Sequence, residues 1–548
     1  MLCCGMQKHT TVSKYINELE AYKLRYQQLE VKNHELEKNI SDYHNKYIVY
    51  QNKSIEYENK YYELKEKYDL LIYKRFGRSA EQILKDEKQL LLLIDETKES
   101  TEREKAKPQE VIKVKQFQRK KGGRKPISPS LSRRERIIDI AENEKTCECG
   151  AKRVKIGELT SEKLEIIPPE IYVDKIVRPK YACKCCEGTE TEGSPTVRVA
   201  PVEPSILPRG IVSPSVASTV ITQKFHLHLP YYRQEKQFED IGVAISRQDM
   251  SNWQQHIYKK LDVLFILLKK TLLSWIFLQM DETILQVIGE EGRSDLQKSY
   301  MWVARGGPPD KKVILYEYHS SRSGLHAKEF LEGYRGHLQT DGFSGYDSAV
   351  KENSNIIQIG CWAHSRRKFF EASKAGKEPK SAEIGLSFIR KLYEIENKLR
   401  SQWDKDSNTE KFLLDRKKAC ESELAKFHSW LVKRKDEVPE STLLGKAISY
   451  ALSQWSKLIA YLENPYSTPD NNACENAIRP FVIGRKNWLF SQCPDGAKSS
   501  AGMFTLVETA KANGHTPYKY LKALFEKAPY ASSPEEWEKL LPWNIFRN

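Results

Sequence analysis

Three acids in this chain have the types and settings for metal-assisted chemistry: Asp281 in WIFLQMDETILQV, Asp341 in HLQTDGFSGY and Glu475 in DNNACENAIRP. A β-branched and aromatic run leads into Asp281, which predicts a place on or just past a strand. A short strand-like run leads into Asp341 and Gly342 follows it, so a strand end is expected there. Glu475 sits in a stretch of helical character ahead of a basic segment. Carboxylates delivered from two strands and a helix can hold two Mg2+ ions roughly 3.5–4 Å apart. Mg2+ takes carboxylate oxygens together with substrate phosphate. Such an arrangement cuts and joins phosphodiesters. Each acid is one of 74 Asp and Glu residues, most of them solvated surface charge, so the flanking sequences must decide.

The elements around the acids follow an order. Strands are predicted in WIFLQMDETILQV, SYMWVAR and KVILYEY, then a helix in LHAKEFLEGY and a short strand in HLQTD. A short helix near Tyr346 and a strand in IIQIGCW complete the series. This is the order of an RNase H-like core, with acids on its first and fourth strands. A charged helical insertion is expected at about 374–468, before the final catalytic helix. Pro465 and Pro469 break the chain there, and Asp470 or Asn471 can cap the helix carrying Glu475. Arg479 lies one turn after Glu475 on the same face, and Arg485 and Lys486 follow, placed to hold phosphate oxygens. His364, in CWAHSRRKFF, could touch phosphate or the nucleophile, but a capping or packed histidine is the favoured reading. Arg366, Arg367 and Lys368 beside it would bind phosphate without regard to sequence.

Other segments carry binding features. Leu29, Leu36, Tyr43, Tyr50, Tyr57, Leu64 and Leu71 recur every seven residues, and no Pro or Gly interrupts 12–71. A helix of that length runs about 90 Å. It cannot bury such a stripe alone, so a coiled coil with a second copy is predicted. A basic linker at 97–136 includes Arg119, Lys120, Lys121, Arg124 and Lys125. It reads equally as a minor-groove arm or as a solvated linker. Cys147 and Cys149, then Cys183, Cys185 and Cys186, have the separation of two zinc knuckles around strand-like sequence. A structural Zn2+ in a zinc-ribbon-like β unit is expected, with Cys183 and Cys186 favoured over Cys183 and Cys185. The first pair, C-x-C, departs from the usual C-x-x-C. Residues 210–260 read as helices with a turn at Gly242 and Ser246 as an N-cap. That is the spacing of a helix-turn-helix, with Arg247, Gln248, Asn252, Gln254 and Gln255 on the exposed side of its second helix, although plain helical hairpins look the same.

The stretches DNNACENAIRPFVIGRKNWLF, CWAHSRRKFF, TDGFSGY and LVETAKANGHTPYKYL resemble bacterial insertion-sequence transposases of the type called insertion sequence sixty-six. The likeness runs over nearly the whole chain, including RFGRSAE near the coil. It implies an Asp-Asp-Glu triad, here Asp281, Asp341 and Glu475, on an RNase H-like fold. It also implies a Cys-rich DNA-binding segment and suggests companion proteins from the same element.

The 548 residues are enough for about three or four domains. The expected plan is a multidomain α/β protein. Its parts are a coiled coil at 1–96, the linker at 97–136, a zinc unit at 137–200 and a helical DNA-binding segment at 201–272. The catalytic domain at 273–510 and a tail at 511–548 follow. A net charge of +15 points to a polyanionic partner, here DNA as element ends and target. MLCCGMQKHT lacks an apolar signal region, and Lys269 and Lys270 interrupt the most apolar stretch, so no membrane is expected. Eleven Cys, an odd and clustered set, suit a reducing cytoplasm and metal binding. No Walker-type loop and no G-x-S-x-G elbow is present, which argues against a helicase or an AAA-type assembly factor. Cofactors are expected to be Mg2+ (or Mn2+), two per active site, with structural Zn2+. The leading reading is a transposase that binds inverted repeats, cuts at the ends and joins them to target DNA. A nuclease without strand transfer and a non-catalytic zinc and coiled-coil regulator are the competing ones.

Overall fold

The computed structural model of the chain describes residues 4–76, 134, 148, 152, 171–182, 197–208, 210–403 and 408–547. It divides into one unit of residues 1–97 and 203–548 and a second of 98–202. In the second unit a short strand β1 (Lys180–Ala182) pairs antiparallel with β2 (Val197–Val199). Cys147, Cys149, Cys183, Cys185 and Cys186 lie outside the described residues, as do Arg119, Lys120, Lys121, Arg124 and Lys125.

The first unit opens with α1 (Cys4–Phe76), one uninterrupted helix. Its leucine and tyrosine stripe is uncovered: Leu29, Leu36 and Leu64 expose 56%, 51% and 69% of their surface. Only its C-terminal end packs. Glu66 is buried and accepts the backbone N–H groups of Lys377 (2.7 Å) and Leu443 (2.8 Å). Leu443 is the first residue of a helix, where a carboxylate is favoured by unpaired N–H groups and the helix dipole, and Lys377 lies in the bend between two helices. Tyr73 meets Phe370 edge-on, and Lys377 lies over the Tyr62 ring.

Among the described residues four more helices precede the sheet: α2 (Pro214–Phe225), α3 (Tyr231–Glu239), α4 (Arg247–Lys260) and α5 (Asp262–Leu273). Ser213 caps α2, with Pro214 in its first turn. Ser246 and Asp249 form a reciprocal capping box on α4. The turn between α3 and α4 uses Gly242 at φ +79°, a conformation glycine adopts freely. On α4, Arg247, Gln248 and Asn252 are exposed, whereas Gln254 is buried. Gln254 accepts from the Tyr231 hydroxyl (2.7 Å) and donates to Ser499 (2.7 Å). It belongs to the packing of α4 on the core and not to an outward face.

The sheet follows as β3 (Phe277–Gln286), β4 (Lys298–Gly306), β5 (Val313–His319), β6 (Gly336–Gln339) and β7 (Ile356–Ile359). Helix α6 (Gly324–Phe330) leads into β6, and α7 (Ser344–Lys351) into β7. The strand order is β5-β4-β3-β6-β7. The first three strands form an antiparallel meander, and β6 and β7 run parallel to β3. The longest strand therefore sits in the middle. It continues five residues beyond Asp281, to Gln286, because β4 pairs with it along that whole length.

Helices α8 (Trp362–Ala375), α9 (Pro379–Ser401), α10 (Thr409–Glu437), α11 (Leu443–Ser453) and α12 (Trp455–Ile459) form a second core around Trp362, Phe369 and Phe427. Then come α13 (Asn472–Trp488), α14 (Pro494–Ala512), α15 (Pro517–Lys527) and α16 (Pro534–Glu538). The C-terminal residues are packed: Tyr520, Leu524, Phe525 and Trp543 lie in the main core.

Helix α14 covers the edge strand β5. Tyr316 N donates to Thr505 Oγ1 (2.9 Å), Ile314 N to Thr509 Oγ1 (3.1 Å) and Lys312 N to Asn513 Oδ1 (3.2 Å). In return Thr509 Oγ1 donates to Ile314 O (3.0 Å) and Asn513 Nδ2 to Lys312 O (2.7 Å).

Candidate active site

The register of the sheet begins the site. Gln279 pairs with Gln339 across the parallel β3–β6 ladder. The Gln279 amide donates to Gln339 Oε1 (2.9 Å). Gln339 Nε2 continues to Thr468 O (2.7 Å), and Arg305 Nη1 donates to Gln279 Oε1 (2.9 Å). Strand side chains alternate between faces, so Asp281, two positions on along β3, shares a face with Gln279. Asp341 lies two positions past Gln339, just beyond the end of β6.

The third acid arrives from α13. Asn471, fully buried, donates from Nδ2 to Met280 O (3.0 Å), and its carbonyl accepts Glu475 N (3.1 Å). Its side chain is thus spent on β3 and does not cap the helix; Asp470 Oδ1 accepts Asn472 N (3.2 Å) instead. At the far end of α13, Arg485 donates to the Ile284 carbonyl and to Thr283 Oγ1, and Ser491 N to Gln286 O (3.0 Å). The helix is held along β3 at both ends, with Glu475 in its first turn.

The carboxylates act on one another electrostatically. Burial pushes the Asp281 carboxyl well above the usual range, and Glu282, Glu475 and Asp341 push the same way. Burial pushes Glu475 up to about 7, aided by Asp470 and Asp341 and opposed by Arg367 and Arg479. Among the described residues Glu475 Oε1 is buried without a hydrogen-bond partner. A buried carboxylate oxygen left without a partner is costly unless a cation joins it. All the donors are hard oxygens, the set suited to Mg2+ or Mn2+.

Three residues that were not site candidates in the sequence complete the surroundings. Glu282 accepts from Arg322 Nε (2.6 Å) and from the Tyr346 hydroxyl (2.5 Å). Arg322 Nη2 also stands 3.8 Å from Asp341 Oδ2, with its guanidinium 3.8 Å from the centre of the Phe343 ring. Glu282 was visible only as the neighbour of Asp281. Nothing in the sequence marks Arg322 or Tyr346, which are brought in by the β5–α6 loop and by α7.

On α8, His364 lies beside Arg367; burial, with Arg367 adding to it, pushes its imidazole down to about 4. Arg366 and Arg367 are half-buried, and Lys368 Nζ lies 4.9 Å from the centre of the Tyr450 ring. Arg479 is half-buried and Lys486 exposed.

A model of the family described as Transposase IS66 family matches residues 209–499, more than half of the chain. The chain belongs to the IS66 transposase family. Three further IS66 models match beside it. The IS66 C-terminal element covers 505–543, and the zinc-finger binding domain of transposase IS66 covers 144–187. The third, described as Transposase C of IS166 homeodomain, covers 63–136. Among curated relatives, the uncharacterized protein y4jD of Sinorhizobium fredii is 29% identical over 425 residues, covering 76% of this chain and 80% of its own. The uncharacterized protein y4hP of the same organism is 28% identical over 455 residues, 79% of each chain. In this IS66-family chain the zinc-finger match spans Cys147, Cys149, Cys183 and Cys186. Among the described residues, no helix is long and apolar enough to cross a membrane.

Proposed function

We propose that the chain is an Asp-Asp-Glu transposase that binds the terminal inverted repeats of its element, cuts at the ends and joins them to target DNA. The observation that carries this reading is the meeting of Asp281, Asp341 and Glu475 from β3, the end of β6 and the start of α13. The sheet order, with β3 central and the acids beside and beyond it, supports an RNase H-like core.

Asp281, Asp341 and Glu475 would hold the metal ions. A bound pair of Mg2+ (or Mn2+) ions supplies Lewis-acid activation of a water or DNA 3′-hydroxyl and charge relief at the departing oxygen. Arg367 and Arg479, already beside Glu475, offer phosphate oxygens positive charge. Arg366, Lys368, Arg485, Lys486 and the linker tract Arg119, Lys120, Lys121, Arg124 and Lys125 extend that field for sequence-independent binding. Cys147, Cys149, Cys183 and Cys186 would close a structural Zn2+ site. The exposed α1 stripe is the seam for a second copy of the chain, because a helix of this length with a heptad repeat buries its stripe only by pairing. The reaction belongs to the cytoplasm, with companion proteins of the element as further partners.

The test is incubation of the full chain with end DNA and Mg2+, scoring nicked and joined products. Both products are expected. Nicking without joining would leave a nuclease, and neither product would remove the catalytic reading.

A further inference from the structure

One group of side chains beside the carboxylates has a different chemical character. Cys361 ends the loop after β7, and His364 lies in the first turn of α8, giving the spacing Cys-Trp-Ala-His. One ligand atom each from Cys361, His364 and Glu475 lies within 4.8 Å of the other two. A sulfur, an imidazole nitrogen and a carboxylate oxygen make the donor set that binds Zn2+ and its relatives; Mg2+ avoids thiolate.

The hydrogen bonds around the group are incomplete in the way a ligand would complete them. His364 Nδ1 and Glu475 Oε1 are both buried with no partner among the described residues. Two such atoms on two of the three residues call for an explanation, since buried polar atoms are almost always satisfied. Cys361 is 1% exposed, and its Sγ accepts Asn471 N (3.3 Å), the kind of outer contact that steadies a thiolate ligand. Arg367 and Lys368 oppose a cation here, and Asp341 and Asp470 offset them. Donors around a tetrahedral Zn2+ are separated by roughly 3.3–3.8 Å for bonds of about 2.0–2.3 Å. The group therefore needs to close by no more than about 1–1.5 Å around the ion, within the reach of side-chain rotation.

We propose that Cys361, His364 and Glu475 form a site for a thiophilic divalent cation of the Zn2+ class, distinct from the cysteine unit at 144–187 and sharing Glu475 with the carboxylate cluster. An ion held there ties Glu475 to sulfur and nitrogen and withdraws it from the oxygen-only set. The site thus lets a soft metal oppose the hard one. The opposition rests on Glu475 serving the carboxylate cluster; the binding does not.

The test uses the full chain with its cysteine unit already loaded with Zn2+, titrated with Co2+ and followed by thiolate-to-cobalt absorption in the near ultraviolet. Wild type is expected to take up one Co2+ per chain with that band. Cys361→Ser should remove the band, and His364→Gln should weaken Co2+ binding roughly tenfold or more. Asp281→Asn should keep the band while losing Mg2+-dependent cleavage, which separates this site from the carboxylate reading. Because His364→Gln reports on affinity and not on the band, a folding failure of Cys361→Ser would not leave the question open. An undiminished band in Cys361→Ser, unchanged affinity in His364→Gln, or loss of the band in Asp281→Asn would each overturn the proposal.

Discussion

Asn471 Nδ2 donates to the carbonyl of Met280 at 3.0 Å, so the residue before the helix of Glu475 is bonded to the residue before Asp281. Two acids almost two hundred positions apart in sequence are thereby fixed by a single side chain. Removing it leaves the Met280 carbonyl buried and unpaired and loosens the start of α13. Asn471→Ala is expected to lower stability by about 1–3 kcal/mol. Cleavage should fall further than that loss explains, read in the fraction that remains folded by denaturant titration.

The acids act as one set. Asp281→Ala, Asp341→Ala and Glu475→Ala should each abolish cutting and joining while end-DNA affinity stays within a few-fold, because affinity comes from dispersed Lys and Arg contacts. Each single variant should be nearly as inactive as the triple, since ligands that act together are not additive. Asp310→Ala, at an exposed turn, serves as the control. Near-normal strand transfer by Glu475→Ala would mean that α13 does not carry the third ligand.

The α1 stripe should hold copies together. Changing Leu29, Leu36 and Leu64 to glutamate is expected to lower the mass seen by light scattering at micromolar concentration. The three side chains are exposed within one chain, so the change costs the single chain little. An unchanged mass would show that the seam is not used.

Lys224 gives a pH signature. Its ammonium lies 3.8 Å from the centre of the Tyr231 ring, and burial pushes its pKa down to about 7. The unfolded chain keeps that lysine protonated up to its ordinary value near 10.5. Between those two pH values the unfolded state binds more protons, so stability should rise with pH across that window. Below it, holding the buried charge costs the fold its full penalty. Lys224→Met should be more stable than wild type at pH 6, and the difference should shrink toward pH 10 in thermal melts. A difference that is constant with pH would place the ammonium in water.

The order of the sheet elements, and the strand, strand-end and helix settings of Asp281, Asp341 and Glu475, were legible because they follow local rules. β3, β4 and β5 show β-branched and aromatic runs, and Gly342 marks the turn after Asp341. The Ser246 cap was legible for the same reason. Gln254 was misread because a glutamine on a helix looks solvent-facing until Ser499, far along the chain, supplies its partner. Arg322 and Tyr346 were invisible for a related reason: their value comes only from the fold that sets them against Glu282. The sequence leaves the cap between Asp470 and Asn471; tertiary contact with Met280 took the Asn471 side chain, and Asp470 accepts Asn472 N. His364 reads in the sequence as a capping or packed histidine and Cys361 is not singled out, because their nearness to Glu475 exists only in the fold.

The contacts of α14 with β5 reach beyond stability. Four residues of helix advance about 6.0 Å, and two residues of strand about 6.6–6.8 Å. Thr505, Thr509 and Asn513, each four apart, can therefore keep step with Tyr316, Ile314 and Lys312, each two apart, for three rungs. To the sheet, this face of the helix stands in for a sixth strand. An open β5 would be a template for strands of other molecules. The match to the IS66 C-terminal element begins at residue 505, on the first of these rungs. A gene product cut short before that point would thus lose more than a terminal appendage: it would leave the ribosome with an adhesive border, and its fate would be decided by self-association before any DNA was met.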